Sequence, residues 1–185
     1  MRNLRPDDWP EVARIFEEGI ATGNATFETE VPSWEDWDAA HLVGHRFAAQ
    51  DDGRVVGWIA LAPVSARRCY EGVAEISVYV TAEARGHGVG SELLATLVES
   101  AERGGLWTLQ TSVFPENAAS LALLRRSGSG WSEPASESRV CTACGATPSW
   151  SNDEVRWSRD LCRNRNNSSK PVPNGQDRGQ SPLLA

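Results

Sequence analysis

Six consecutive residues, Arg85-Gly86-His87-Gly88-Val89-Gly90, carry the plainest chemistry in this chain. They follow an alternating run, Val73 to Val80, and precede an apolar helical pattern from Leu93 to Ala101. A glycine-rich turn between a strand and a helix presents backbone N–H groups, with the positive end of the helix behind them. That arrangement binds anions, phosphate above all. In such a loop the useful group of His87 is its backbone N–H rather than its imidazole.

Two phosphate-binding motifs are excluded by spacing. A dinucleotide fingerprint needs its glycines after the first strand of a βαβ unit and an acidic ribose partner further on. Here the loop follows a hairpin and two early helices. A nucleotide-hydrolase loop needs Lys and then Ser or Thr after its last glycine. The chain has Val89-Gly90-Ser91, and Lys170 is its only lysine.

The elements that must hold this loop are legible as periodicities. Asp7 or Asp8 and Pro10 start a helix with apolar residues at Val12, Ile15, Phe16 and Ile20. Residues 24–32 read as a loop, and Ser33 with Asp36 as the capping box of a second helix. On that helix Trp34 and Trp37 suit either core packing or an interface. Arg46–Gln50 and Val55–Pro63, joined by Asp51-Asp52-Gly53-Arg54, make a hairpin. Glu75–Val80 is a strand and Gly90–Arg103 a helix. Trp107–Phe114 is another strand, and Asn117–Ser127 a short helix. A mixed sheet flanked by helices, of class α/β, satisfies this order.

The chain has 185 residues and a net charge of -7, which argues against a nucleic-acid partner. No run is apolar enough for a membrane span or a signal peptide, so a cytoplasmic protein is expected. Residues 1–130 hold 19 acidic and 11 basic side chains, whereas residues 131–185 hold 6 and 7. Cys69 stands alone in the first part, and Cys141, Cys144 and Cys162 fall in the second. The sequence thus divides into a core, 1–130, and a divergent, partly disordered segment, 131–185. Cys141 and Cys144 have the spacing of half a zinc site, but no second pair completes it. His41, His45 and Asp38 lack a metalloprotease pattern, and no metal is expected.

Arg85 to Gly90 matches the Arg/Gln-x-x-Gly-x-Gly/Ala signature of the GCN5-related N-acetyltransferases, and Pro115 to Ser120 resembles their later signature. Asn24 to Glu30 and Arg67 to Glu75 resemble the phosphinothricin N-acetyltransferase-like branch. The likeness covers about residues 3–128. It implies a mostly antiparallel mixed sheet and acetyl-coenzyme A as cosubstrate, its pyrophosphate on Arg85, Gly86, His87, Gly88, Val89 and Gly90. The backbone of Val78 and Val80 would lie along the pantetheine arm, with Asn117 near that arm and Ser120 near the phosphate end. The acetyl acceptor would be the primary amine of a small amino-acid-like molecule, phosphinothricin or methionine sulfoximine being examples.

Acetyl transfer needs a neutral amine, whereas aliphatic amines are protonated near neutral pH. A proton acceptor and a donor to the carbonyl oxygen are therefore required. Pattern alone would leave Glu75 facing solvent. The resemblance implies that it is the base, with a backbone N–H near Val78 as the donor. Arg67 and Tyr70 supply a charged fork and a hydroxyl for a substrate carboxylate or phosphinate, and Phe27 an apolar wall.

The resemblance stops after Gly128. The branch often has histidine where Leu124 stands, and the closing strands with their Gly-x-Trp-x-Asp-like segment are missing or altered, as after a change of reading frame. Enzymes of this branch are commonly homodimers. For this chain only a weak homodimer or aggregate and weak or absent activity are expected, with an inactive acyl-coenzyme A-binding remnant or sensor as the alternative.

Overall fold

The computed structural model describes residues 1–127 and the backbone of one further strand, Arg139–Cys144. The element order is β1 (Arg2–Asn3), α1 (Trp9–Ala21), α2 (Trp34–Ala40), β2 (Arg46–Asp51), β3 (Arg54–Pro63), β4 (Val73–Val80), α3 (Val89–Arg103), β5 (Thr108–Val113), α4 (Ala118–Arg126) and β6 (Arg139–Cys144). The six strands form one sheet in chain order. Every pairing is antiparallel except β4 with β5. This is the expected α/β architecture with a mixed, mostly antiparallel sheet.

Both faces of the sheet are covered, which explains why β3 reads as a nearly unbroken apolar run. Alternation along β3 divides its side chains between two clusters. Ile59 and Leu61 pack with Leu93, Leu94 and Leu97 of α3 and Leu121 and Leu124 of α4. Trp58 and Ala60 pack with Val12, Ile15 and Phe16 of α1 and Trp37 of α2. Trp37 is 1% exposed. Its ring meets Trp9, Trp34, Trp58 and His41 at centroid separations of 5.6, 5.8, 5.6 and 4.3 Å. Of the two roles the sequence allowed it, core packing is the one it fills.

Local details mostly follow the expected capping chemistry. Ser33 Oγ accepts the Asp36 N–H at 3.1 Å and starts α2. Asp8 departs from expectation. Its carboxylate makes no cap bond to α1. It instead accepts from Arg2 at 2.6 Å and from the Arg5 N–H at 2.7 Å. The nearby arginine offers a charge-assisted bond that outcompetes a neutral helix N–H. The hairpin turn places Asp52 at φ 45° and Gly53 at φ 82°, as a two-residue turn matched to strand twist requires.

β6 is the principal addition. It pairs with β5 from Thr108↔Cys144 to Val113↔Arg139, within a segment the sequence left without a strand. The expected disorder of the tail, the Cys162 thiol and the side chains of Cys141 and Cys144 lie outside the described residues.

Candidate active site

The site begins where two strands part. β4 pairs with β3 along its whole length, from Pro63↔Ala74 to Gly57↔Val80. It pairs with β5 only at Val73↔Thr108, Ala74↔Leu109 and Glu75↔Gln110. Beyond Glu75 the strands diverge and leave one edge of β4 open. The Thr81 N–H donates to the Val56 carbonyl at 2.9 Å. Strand alternation therefore turns the N–H groups of Val78 and Val80 away from β3 and into the gap. The Val80 carbonyl points the same way, where it accepts from Arg85 Nε at 3.1 Å.

A cleft of about 130 Å³ fills the divergence. Glu75, Ser77 and Tyr79 reach it from β4 and Thr111 from β5; Phe114 follows β5, Ser120 and Leu124 come from α4, and Phe27 from the loop after α1. Among the described residues, Glu75 is the only charged one in the lining. Its carboxylate is half-buried and has no hydrogen-bond partner among the described residues. The sequence pattern alone, with its bias toward solvent, did not settle that position.

The glycine loop lies past the end of β4 and opens α3. Gly86 has φ 81° and Gly88 φ 89°, the left-handed region that glycine enters without strain. The N–H groups of Ser91 and Glu92 turn back to the Gly88 carbonyl, at 2.9 and 3.1 Å. Those from Gly86 through Gly90 take no acceptor from the described residues. Five successive unpaired donors at a helix N-terminus fit a pyrophosphate. The His87 side chain is exposed. Gly90 also lets helices approach, since a β-carbon there would lie 3.3 Å from Leu123 of α4.

Other expected site residues are distributed unevenly. Phe27 is 73% exposed at the cleft mouth, and its ring meets Phe114 at 4.4 Å. Asn117 caps α4 by accepting the Ser120 N–H at 3.0 Å, and it donates from Nδ2 to the Asn24 carbonyl at 3.1 Å. Arg67 and Tyr70 lie in the β3–β4 connection, outside the cleft lining, with the guanidinium 5.9 Å from the Tyr70 ring centroid. The structure thus gathers Phe27, Glu75, Val78, Asn117 and Ser120, and keeps Arg67 and Tyr70 apart from them.

Tyr79 was missed by the sequence analysis. Its ring stacks on Trp58 at 4.7 Å and meets Phe16 at 4.9 Å. Burial pushes its hydroxyl up to about 12. Alternation placed Tyr79 on the face of Glu75 and Ser77, the one available signal. His41 and His45 are occupied elsewhere, His41 against the Trp37 carbonyl at 2.7 Å and His45 against Ser100 Oγ at 2.9 Å. Asp38 pairs with Arg46.

A strand splayed from its parallel neighbour, with a donor-rich glycine turn at its end, is an arrangement that suits a long phosphorylated carrier. Residues 3–128 match the acetyltransferase (GNAT) family, and the chain belongs to it. By class it is an acetyl-coenzyme A-dependent N-acetyltransferase. It is 31% identical over 134 residues to an L-methionine sulfoximine/L-methionine sulfone acetyltransferase of Pseudomonas aeruginosa, covering 69% of this chain and 78% of that one. It is 34% identical over 118 residues to a phosphinothricin N-acetyltransferase of Alcaligenes faecalis, covering 58% of this chain and 56% of that enzyme. The fold resembles that of a phosphinothricin acetyltransferase from Sinorhizobium meliloti solved in complex with acetyl-coenzyme A. The TM-score is 0.69 at 22% identity, over 85% of this chain and 94% of that one. No helix among the described residues is long and apolar enough to cross a membrane.

Proposed function

We propose that this chain acetylates the primary amine of a small amino-acid-like molecule, with phosphinothricin and methionine sulfoximine as the first compounds to test. The observation that carries the reading is the position of Glu75. Among the described residues it is the only charged one lining the cleft, and it sits where β4 leaves β5. A lone carboxylate there suits an ammonium group that must lose its proton.

Acetyl-coenzyme A supplies an activated acyl group as a thioester. The N–H groups of Gly86 to Gly90 hold its pyrophosphate, Arg85 and Ser120 support the phosphate end, and the open edge at Val78 and Val80 takes the pantetheine. Glu75 accepts the ammonium proton, directly or through water. The free amine then bonds to the acetyl carbon, and the carbon–sulfur bond breaks. The Val78 N–H donates to the carbonyl oxygen as charge builds there. Leu124 offers no proton; the coenzyme thiol is acidic enough to depart as thiolate, by analogy with the cysteine thiol, and the proton that leaves nitrogen as the amide forms is taken up by that thiolate through water. Phe27 walls the amine site, and Arg67 and Tyr70, set apart from the cleft lining in the β3–β4 connection, are the proposed donors to the substrate's anionic group.

Glu75→Gln tests the reading in a direct thiol-release assay. Acetyl-coenzyme A binding should persist while turnover falls ~10²–10⁴-fold. Unchanged turnover would remove Glu75 from the chemistry. Binding with no amine-dependent release in the parent chain would favour the acyl-coenzyme A-binding alternative.

A further inference from the structure

Glu75 occupies the last rung of the parallel ladder between β4 and β5, and the residue across that rung is Gln110. Directly paired residues of a sheet point to the same face, with the strands about 4.8 Å apart. Ala62 of β3 is the neighbour on the other side. Along β4 itself the same-face neighbours are Val73 and Ser77. Of these four residues only Ser77 and Gln110 are polar, and only Gln110 carries side-chain N–H groups.

Alternation along β5 supports the same placement. Leu109 and Val113 belong to the cluster with α3 and α4, so Gln110 lies on the opposite face, with Glu75. Both side chains are half-buried, and neither is bonded to another described residue. A carboxylate partly withdrawn from water keeps its charge at a cost unless donors meet it. Each side chain is long enough to bridge one strand spacing by a change of rotamer, without movement of the backbone.

We propose that Gln110 is a positioning residue for Glu75: its amide Nε2 donates to one carboxylate oxygen and leaves the other turned to the cleft, where the ammonium group loses its proton. This rests on the reading of Glu75 as the proton acceptor. Glu75 and Ser77 line the cleft and Gln110 does not, so the amide meets the carboxylate from outside the space the substrate takes. Such a bond favours the ionised carboxylate, the form that can take a proton. The charged side chains of the adjoining connections, Glu28, Arg67, Arg68 and Glu71, lie outside the cleft lining, whereas the register sets Gln110 directly beside Glu75.

Gln110→Leu removes the amide and keeps similar bulk. Carbon-13 NMR of glutamate-labelled protein follows the Glu75 carboxyl with no substrate present, its signal assigned by its loss in Glu75→Gln. The midpoint of that titration should rise in Gln110→Leu by about one pH unit, the scale of one hydrogen bond to a charged group. Ser77→Ala should leave it nearly in place. With an accepted amine, the acid limb of kcat/KM should move by the same amount, so the rate on that limb falls about tenfold. The plateau above it and acetyl-coenzyme A affinity should be kept. A merely structural role would lower the whole profile without moving it.

Should Gln110→Leu fail to fold, Gln110→Met, unbranched like glutamine, carries the same comparison. An unmoved Glu75 titration in a folded variant would overturn the proposal. So would a shift produced by Ser77→Ala and not by the Gln110 variants. A chain inactive toward every amine, with the titration shifted in Gln110→Leu, would leave the pairing standing and defeat only the role of Glu75 as base.

Discussion

Gly19 of α1 lies directly against the ring of Tyr79 in β4. A β-carbon at Gly19 would come within 2.6 Å of Tyr79 Cδ1 and 2.7 Å of Cε1. That contact lets the helix approach closely enough for Tyr79 to stack on Trp58 and meet Phe16. Glycine inside a helix costs about 1 kcal/mol relative to alanine, so its presence needs a packing reason, and Tyr79 is that reason.

Gly19→Ala should therefore destabilise the chain despite its better helix propensity. Overpacking costs about 1–3 kcal/mol, against roughly 1 kcal/mol of gained propensity. The midpoint of urea unfolding should fall slightly, and residues 24–27 should lose protection as Tyr79 is displaced. Pairing it with Tyr79→Leu, which frees space near the ring edge, should restore much of the midpoint. A stabilised Gly19→Ala single variant would show that Tyr79 yields without cost.

The glycine loop was legible because its chemistry is local. Gly86 and Gly88 lie at positive φ where the sequence placed a phosphate turn, and α3 begins one residue before the expected Gly90. The helix faces of α1 and α3 were also carried by periodicity. What escaped depends on distant partners. The Asn117–Asn24 bond joins positions 93 residues apart, and no spacing rule encodes it. The position of Glu75 in the cleft needed the place where β4 leaves β5, a property of two strands. β6 escaped because Arg139–Cys144 is short and its preceding residues have no apolar period.

Gly88→Ala should weaken carrier binding and lower stability together. Gly88 sits at φ 89°, where an L residue pays about 1–2 kcal/mol. For a chain of this size each kcal/mol lowers Tm by about 2–4 °C. The added methyl meets no other residue of the chain within 4 Å, so the effect comes through the strained turn that sets the N–H groups. Calorimetric titration with acetyl-coenzyme A should show a clear loss of affinity. A variant with reduced Tm but unaltered affinity would detach this turn from the anion.

His41 gives the fold a defined acid sensitivity. Burial pushes its imidazole below the usual histidine range, and Arg46 adds to that; the bond to the Trp37 carbonyl and the charge of Asp38 oppose it. The neutral form is therefore favoured in the fold, while the unfolded imidazole protonates near its ordinary value of about 6.5. Its contribution is complete above that value and is lost as pH falls through it toward the folded value. His45 shifts the same way through burial, so His41→Gln isolates the first. Urea midpoints at about pH 7.5 and about pH 5.5, on either side of the reference value, should drop further in the parent than in the variant. Equal drops would assign the effect to His45 or to the carboxylates.

Arg67 supplies the last test, because its position and its proposed role pull apart. It is exposed, stacked near Tyr70, and outside the cleft lining that holds Glu75. An exposed arginine over a tyrosine gains little from that contact, so its fork remains available to a carboxylate or phosphinate. If it serves that purpose, Arg67→Ala should raise KM for an amino-acid substrate about 10–100-fold, the scale of a lost charge-assisted bond. The corresponding amine lacking its carboxylate should be hardly affected, and acetyl-coenzyme A affinity should hold. Comparing the two amines in one variant removes any general damage to the fold from the answer. Equal losses for both amines would mean that Arg67 shapes the β3–β4 connection rather than reading the anion, and anion recognition would then have to come from the neutral hydroxyl groups that line the cleft beside Glu75.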